Sequence, residues 1–116
     1  MRIIKESRVK QFMEEHPLAR PSLERWVRLT RKALWRNFTD VRCTFPHADA
    51  VTVGSGKKAM VFDIHGNEFR LITAVHYAVE AAGNGARLHP SVGGRVYVFH
   101  CLTHAEYDRN QWKETL

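Results

Sequence analysis

The chain has only two cysteines, Cys43 and Cys101, among its 116 residues. They are far apart, so they form neither the close pair of a zinc site nor the disulfide framework of a small secreted domain. No apolar run approaches the ~20 residues that cross a membrane. Charge follows Met1–Lys5 at once, which predicts no signal peptide. We therefore expect a reduced, cytoplasmic protein with no membrane contact.

Acidic residues are scarce beside basic ones, 12 against 18, and the formal net charge is +6. Such a domain attracts polyanions, although a basic surface without a polyanionic partner is the alternative. The apolar fraction of 44% supplies one core and argues against disorder. A chain of this length predicts a single domain over residues 1–116.

The segment Met60–His76 carries the clearest structural signal. Two apolar runs rich in β-branched residues flank Gly66 and Asn67, which accept positive φ, so the pattern predicts a β-hairpin. Alternation then places Arg70 on the same strand face as Ile72. A guanidinium stays charged inside a protein and needs either an internal carboxylate or a bound phosphate. We expect Arg70 to bind phosphate.

Two helices are predicted before the hairpin, after a short first strand. The first is expected to begin at a capping Ser7 and to end at Pro17, because the residue before proline avoids the α region. The second is expected to begin near Pro21, which suits a first helical turn. The segment 37–56 is expected to be irregular.

Four cations recur at helical spacing along the second predicted helix: Arg25, Arg28, Lys32 and Arg36. No acidic residue is interleaved with them, and Glu24 is the only acid nearby. Such a stripe is either a solvated helix face or a surface that holds RNA phosphates or an acidic partner. Trp35, at its border, is expected in the core, with base stacking as the alternative.

Near the C-terminus, Thr103 and Glu106 have the spacing of a capping box and predict a helix start. His104 falls in the first turn, where the helix dipole disfavours a protonated imidazole and favours a proton acceptor. Tyr107 and Asp108 share its helix face. Tyr107 is either functional or a packing residue, and Asp108 is expected to complement the helix dipole.

Between the hairpin and this helix, the sequence predicts a long glycine-rich loop over 78–94 and a strand over 96–102. The strand is apolar on both faces, as expected when both are covered. The loop is expected to be a peripheral insertion, and Arg87 and His89 are the residues that could make it part of a site.

A zinc site is a rival interpretation, because His100, Cys101 and His104 are close in sequence, with His76 and His89 not far away. A strand alternates faces, however, so His100 and Cys101 should point apart. We expect no metal and no cofactor.

Three motifs together resemble the HigB toxins of bacterial type II toxin–antitoxin modules. In chain order, which is also the family's order, they are DVRCTFPHAD at 40–49, GNEFR at 66–70 and THAEYD at 103–108. The resemblance covers nearly the whole chain. It implies an α+β, RelE-like fold in which two N-terminal helices pack on a small, mainly antiparallel sheet, followed by a short C-terminal helix.

The resemblance also implies an endoribonuclease that cuts mRNA on the translating ribosome and is silenced by a HigA-type antitoxin. DNA would be contacted only through the antitoxin. Metal-free cleavage by 2′-OH attack needs a base, an acid and a cation for the phosphate. His104 is the expected base, Arg70 the phosphate clamp, and Tyr107 or His65 the acid or positioning group. Asn67 is expected to contact RNA.

Two positions depart from the family pattern. His65 stands where many relatives have Lys, and Phe99 stands where many have Arg. The loop before the last strand is also longer. The alternative is therefore a catalytically weakened or non-catalytic protein of the same fold that binds RNA or antitoxin. A gyrase poison on this fold is a third interpretation.

Overall fold

The computed structural model describes residues 1–79 and 94–116. The helices are α1 (Glu6–Glu15), α2 (Arg20–Lys32), α3 (Phe38–Thr44) and α4 (His104–Asp108). The strands are β1 (Arg2–Ile4), β2 (Asp49–Thr52), β3 (Lys58–Ile64), β4 (Phe69–His76) and β5 (Arg95–Thr103). Short 3-10 helices span Pro17–Ala19 and Gln111–Thr115. Most of the predicted 78–94 loop, with Arg87 and His89, lies outside the described residues.

The five strands form one sheet in the order β1-β5-β4-β3-β2. The β1–β5 pair is parallel and the other three pairs are antiparallel. The predicted α+β fold, with N-terminal helices, a mainly antiparallel sheet and a short C-terminal helix, is confirmed. No described helix has the length and apolarity to span a membrane.

The two N-terminal helices form as predicted, but one of their caps does not. The expectation that Ser7 caps α1 is wrong, because the helix begins at Glu6. The N-cap is Lys5, two residues before Ser7, with φ 67° and no side-chain hydrogen bond. His16 ends α1, as the following proline predicts. Pro21 lies in the first turn of α2.

The expectation that 37–56 is irregular is wrong in part, because α3 and β2 lie within it. The side chain of Asn37 caps α3 by accepting a hydrogen bond from the backbone N–H of Asp40 at 2.9 Å. A helix of one or two turns has little apolar periodicity, so its cap is the stronger signal in the sequence.

The main core lies between the sheet and the helices. Phe62 packs edge-on against Trp26 at 5.5 Å and stacks on Trp35 at 6.0 Å between ring centroids. Trp35 is thus a core residue, as predicted, and its indole N–H donates to Thr44 Oγ1 at 3.0 Å. A second cluster covers the other sheet face, where Ile72 and Trp112 are buried.

The predicted hairpin is β3–β4, and its turn contains two positive φ values, at His65 (53°) and Gly66 (65°). Strand β5 carries a bulge opposite β4. Ile72 pairs with His100 and Thr73 pairs with Val98, so Phe99 is the extra residue. The hairpin turn and the end of β5 meet at one edge of the fold, where α4 begins.

Candidate active site

Arg70 lies at the start of β4 and is only 9% exposed. Its neighbour Phe69 packs into the core against Phe12 of α1. Because successive strand residues point to opposite faces, Arg70 points away from α1 and α2. This face also holds Ile72, as predicted, in the second hydrophobic cluster. The guanidinium therefore lies between the sheet and the C-terminal helix.

All three guanidinium nitrogens of Arg70 contact protein atoms. Nε is 3.3 Å from Asp63 Oδ1, directly across the hairpin. Nη1 donates to the carbonyl oxygens of Asn67 at 3.0 Å and Phe69 at 3.2 Å. Nη2 donates to Asn67 Oδ1 and lies 3.4 Å from His104 Nδ1. The expectation that Arg70 has no internal carboxylate partner is wrong, because alternation also brings Asp63 to this face.

His104 is held at the first position of α4. The predicted capping box is present: Thr103 Oγ1 accepts from the Glu106 N–H at 3.2 Å, and the Glu106 carboxylate accepts from the Thr103 N–H at 2.9 Å. The His104 N–H donates to the Glu68 carbonyl in the hairpin turn at 2.8 Å. These contacts fix the histidine backbone against the turn that holds Arg70.

The two ring nitrogens of His104 have different partners. Arg70 Nη2 can only donate, so Nδ1 at 3.4 Å is the acceptor of that contact. Nε2 lies 3.0 Å from Asp108 Oδ2, which can only accept from it when ionised. The arrangement selects the neutral tautomer with its proton on Nε2 and its lone pair on Nδ1.

Asp108 thus contacts the candidate base. The expectation that it complements the helix dipole is wrong, because Asp108 is the last residue of α4 and the acid of the first turn is Glu106. Asp63 is a second site residue that sequence reasoning missed. Both had a recognisable signal: Asp108 is four residues after His104, which is one helical turn, and Asp63 faces Arg70 across the predicted hairpin. Neither signal predicts what the residue does until the atoms that its carboxylate contacts are known.

Tyr107 forms the floor beneath Arg70. The guanidinium carbon lies 5.3 Å from the centroid of the tyrosine ring, and the ring stacks on Trp112 at 5.3 Å and 18°. Burial raises the pKa of Tyr107, while the nearby charge of Arg70 lowers it less. The phenol is therefore protonated at neutral pH and can donate a proton. Tyr107 is thus a packing residue whose ring also contacts the Arg70 guanidinium.

His65 and Asn67 lie in the same turn but face different surroundings. The exposed His65 ring lies beside Phe69, with 6.4 Å between centroids, and Phe69 faces the helices. Within the described residues no hydrogen bond joins His65 to Arg70, His104 or Tyr107. Asn67 directs its carbonyl and side-chain oxygens to Arg70, so those oxygens organise the site.

Carboxylates outnumber cations around Tyr107. Asp49, Asp63 and Asp108 each act electrostatically to raise its pKa, and Arg70 alone acts to lower it. Phe99, where the resemblance led us to expect Arg, packs near Tyr97 at 5.0 Å between ring centroids. Among the described residues, the site thus has one buried guanidinium for a phosphate that would approach past several carboxylates.

The predicted cation stripe does not reach this site. Arg25, Arg28 and Lys32 are exposed on α2, which packs on the other sheet face. Arg36 is not on that helix, because α2 ends at Lys32, and its Nε lies 3.3 Å from Asp40 Oδ2. A backbone hydrogen bond from Arg36 lowers the pKa of Asp40. The expectation that Arg36 continues the helical stripe is wrong.

The zinc interpretation fails on geometry. His100 pairs with Ile72 and Cys101 pairs with Leu71, so the two candidate ligands point to opposite faces. Burial raises the pKa of the Cys101 thiol to about 12, which disfavours the thiolate that zinc requires. In the described part of the chain, no three His, Cys, Asp or Glu side chains are grouped to hold a metal.

Comparison with protein families gives one result that covers most of the chain. The profile of the HigB_toxin family, described as the RelE-like toxic component of a toxin–antitoxin system, matches residues 19–110. This range includes α2, every strand except β1, and all the residues around Arg70 and His104. The comparison with curated proteins gives no match.

Proposed function

This chain belongs to the HigB family of RelE-like toxins, and we propose that it is an endoribonuclease that cleaves mRNA. The observation that supports the proposal is the convergence of three groups. The His104 imidazole and the Arg70 guanidinium lie 3.4 Å apart, and the ring of the protonated Tyr107 phenol lies 5.3 Å from the guanidinium carbon. Base, cation and acid are the three groups that metal-free RNA cleavage requires.

In the proposed reaction, His104 Nδ1 takes the proton of a ribose 2′-OH that approaches between His104 and Arg70. The 2′-oxygen attacks the adjacent phosphorus, and the bond from phosphorus to the 5′-oxygen breaks. The Tyr107 hydroxyl protonates the departing 5′-oxygen. The products are a 2′,3′-cyclic phosphate and a 5′-OH. The requirement for a 2′-OH selects RNA over DNA.

Arg70 acts through its charge and through the position of His104. Its nitrogens are held by the hairpin, so the positive charge is fixed before substrate arrives, and fixed charge needs no reorganisation during reaction. Asp108 is a positioning residue: it holds the Nε2 proton and stabilises the imidazolium that forms at His104. Asn67 is a further positioning residue that anchors Arg70. Because its oxygens are used in that contact, its amide N–H groups are the atoms that can contact RNA.

As a toxin of a toxin–antitoxin family, the protein has an antitoxin partner. We propose that the partner is HigA-type, that DNA is reached only through it, and that mRNA is cut on the ribosome in the cytoplasm. One domain over 1–116 carries these contacts. Of the two roles considered for Arg25, Arg28 and Lys32, an acidic antitoxin surface is favoured, because these cations lie across the sheet from His104.

A second candidate function is supported by a separate observation. Every guanidinium nitrogen of Arg70 already has a protein partner, and Asp49, Asp63 and Asp108 surround Tyr107. A phosphate would have to displace Asp63 or Asn67 from Arg70. A protein of this fold that binds antitoxin, with weak or absent RNA cleavage, would have this arrangement.

The substitution His104→Ala separates the two functions. Purified protein is incubated with RNA alone and with programmed ribosomes, and cleavage is followed by product mapping. The nuclease predicts 2′,3′-cyclic phosphate ends from the parent and a loss of about 10²–10⁴ in rate for the variant. His47→Ala, which changes an exposed histidine elsewhere, serves as the matched control. A parent that cuts RNA in neither assay would support the binding protein.

A further inference from the structure

A groove of about 510 Å³ runs between α1 and α2. Its floor is apolar and consists of Val9 and Met13 from α1 and Val27 from α2. Val9 and Met13 belong to the main core, and Val27 packs against it. The groove is therefore the outer surface of the helical layer, on the side of the sheet away from Arg70.

We propose that this groove binds an acidic, amphipathic helical segment of the antitoxin. The inference rests on the antitoxin partner proposed above, but not on RNA cleavage. A groove with an apolar floor and charged rims is the geometry in which one helix lays its apolar stripe between two others. The volume suits a few large apolar side chains of such a segment.

The charges on the rims determine which net charge a bound segment should carry. The rims carry three carboxylates, Glu6, Glu14 and Glu24, and five cations, Lys10, Arg20, Arg28, Arg31 and Lys32. Glu6 is already paired with Arg31 at 2.6 Å and approached by Lys10 at 3.9 Å. Arg20, Arg28 and Lys32 have no ion-pair partner within residues 1–79 and 94–116. An acidic segment is the complement of these cations.

The lining also discriminates between protein and RNA. Single-stranded RNA is held by cations that track phosphates and by aromatic rings on which bases stack. None of the residues that line this groove is aromatic. Instead its floor offers aliphatic carbon and the adaptable thioether of Met13, which suit apolar side chains. Cations beside an aliphatic floor therefore indicate a protein partner.

Two kinds of variant test the groove. Val27→Asp puts a carboxylate on the half-buried floor, and the double change Arg28→Glu, Lys32→Glu reverses two rim charges on exposed side chains. The probe is a purified HigA-type antitoxin, the partner proposed above, and its Kd is measured by calorimetry. We expect Val27→Asp to raise Kd about 30-fold, the size of an interface hot spot. The double change should raise it about tenfold.

The matched control is the double change Lys57→Glu, Lys58→Glu, which alters net charge equally at exposed residues outside the groove. Its Kd should stay within about threefold of the parent value, because salt screens charges that lie far from the rims of the groove. Circular dichroism and melting temperature confirm that each variant is folded. If Val27→Asp unfolds the domain, the charge reversal alone decides.

Several outcomes would overturn the proposal. Equal weakening by the control and the groove variants would mean a diffuse electrostatic contact. Loss of affinity for a single-stranded RNA oligonucleotide, with antitoxin affinity kept, would mean an RNA track. A change in self-association during size-exclusion chromatography would mean a second copy of the chain. A parent that fails to bind the antitoxin removes the proposed occupant, whereas an inactive nuclease that still binds it leaves the proposal standing.

Discussion

The two sides of the sheet use arginine in opposite ways. On the helical side, Arg25 and Arg28 project from α2 into solvent, and within the described residues neither has an ion-pair partner. On the other side, Arg70 is 9% exposed and all three of its guanidinium nitrogens are engaged by Asp63, Asn67, Phe69 and His104. One surface has cations available to a macromolecule, and the other has a cation that builds a site.

The difference follows from the cost of burial. An exposed guanidinium loses little when it has no partner, because water solvates it, whereas a buried one is expensive unless every donor is satisfied. Arg70 is therefore surrounded by acceptors from its own hairpin, and its removal should affect folding as well as chemistry. The α2 cations should affect association alone. The predictions below separate these two behaviours.

The largest effect is expected at Arg70. Arg70→Lys keeps the charge but offers one nitrogen where the hairpin provides acceptors for three. We expect cleavage to fall by about 10² or more, since His104 Nδ1 and the phosphate both lose their fixed partner. The unfolding free energy should fall by about 2 kcal/mol, because Asp63 and Asn67 lose charge-assisted hydrogen bonds. Urea denaturation and RNA cleavage give the two values.

This expectation revises that of a pure phosphate clamp, for which activity would fall well before stability. The Asp63 pair and the two carbonyl acceptors are the reason for the change. Arg28→Lys on α2 is the matched control and should leave the unfolding free energy within about 0.5 kcal/mol. Normal stability with lost cleavage in Arg70→Lys would restore the role of a pure phosphate clamp.

A smaller effect is expected at Tyr107. Tyr107→Phe removes one hydroxyl and keeps the stack on Trp112 and the ring beneath Arg70. If the phenol protonates the leaving oxygen, cleavage should fall by about 10–10² with an unchanged melting temperature. His65→Ala, on the other side of the hairpin beside Phe69, should leave cleavage within about threefold of the parent rate. A larger loss for His65→Ala than for Tyr107→Phe would reverse the two assignments.

Asp108 should contribute less again. Asp108→Asn keeps a hydrogen-bond acceptor for His104 Nε2 but removes the negative charge, so cleavage should fall by about tenfold. A purely structural role would leave the tautomer of His104 unchanged. Nitrogen-15 NMR of the imidazole distinguishes the cases: the parent should have its proton on Nε2, and the variant should show a mixture. Glu114→Gln, at an exposed acid near the C-terminus, controls for lost charge.

Much of the fold was predictable, because long elements repeat their signals. The hairpin had two apolar runs and a Gly-Asn turn, and the helices of the N-terminal half had apolar periodicity and Pro17 as a stop. The short elements α3 and β2 gave no such repetition. Ser7 was a plausible cap, but the helix starts at Glu6 with Lys5 as its N-cap. Local sequence signals predict a helix or strand correctly only when several of them agree.

The site was predictable as a set of residues but not as a network. The capping box located His104, and the hairpin located Arg70 on the correct face. Which acceptor satisfies Arg70 depends on register across the hairpin, and register placed Asp63 opposite. Similarly, the turn aimed His65 toward Phe69 although it is adjacent in sequence to the site. The alternation of side chains along a strand does not predict where a side chain points in a turn with positive φ.

The smallest expected effect compares two buried threonines, one unsatisfied and one satisfied. Thr30 on α2 and Thr73 on β4 are both 0% exposed. The Thr30 hydroxyl has no partner among the described residues, whereas the Thr73 hydroxyl donates to the Met60 carbonyl at 3.0 Å.

Valine has nearly the shape of threonine and lacks the hydroxyl. Thr30→Val should therefore raise the unfolding free energy by about 1 kcal/mol, by removing an unpaired polar group. Thr73→Val should lower it by about 1 kcal/mol or more, because the Met60 carbonyl loses its donor. Chemical denaturation of both variants measures the pair under one condition. A loss of stability in both would mean that the Thr30 hydroxyl is satisfied in solution, which would leave Trp26 Nε1 as the unpaired buried side-chain donor among the described residues.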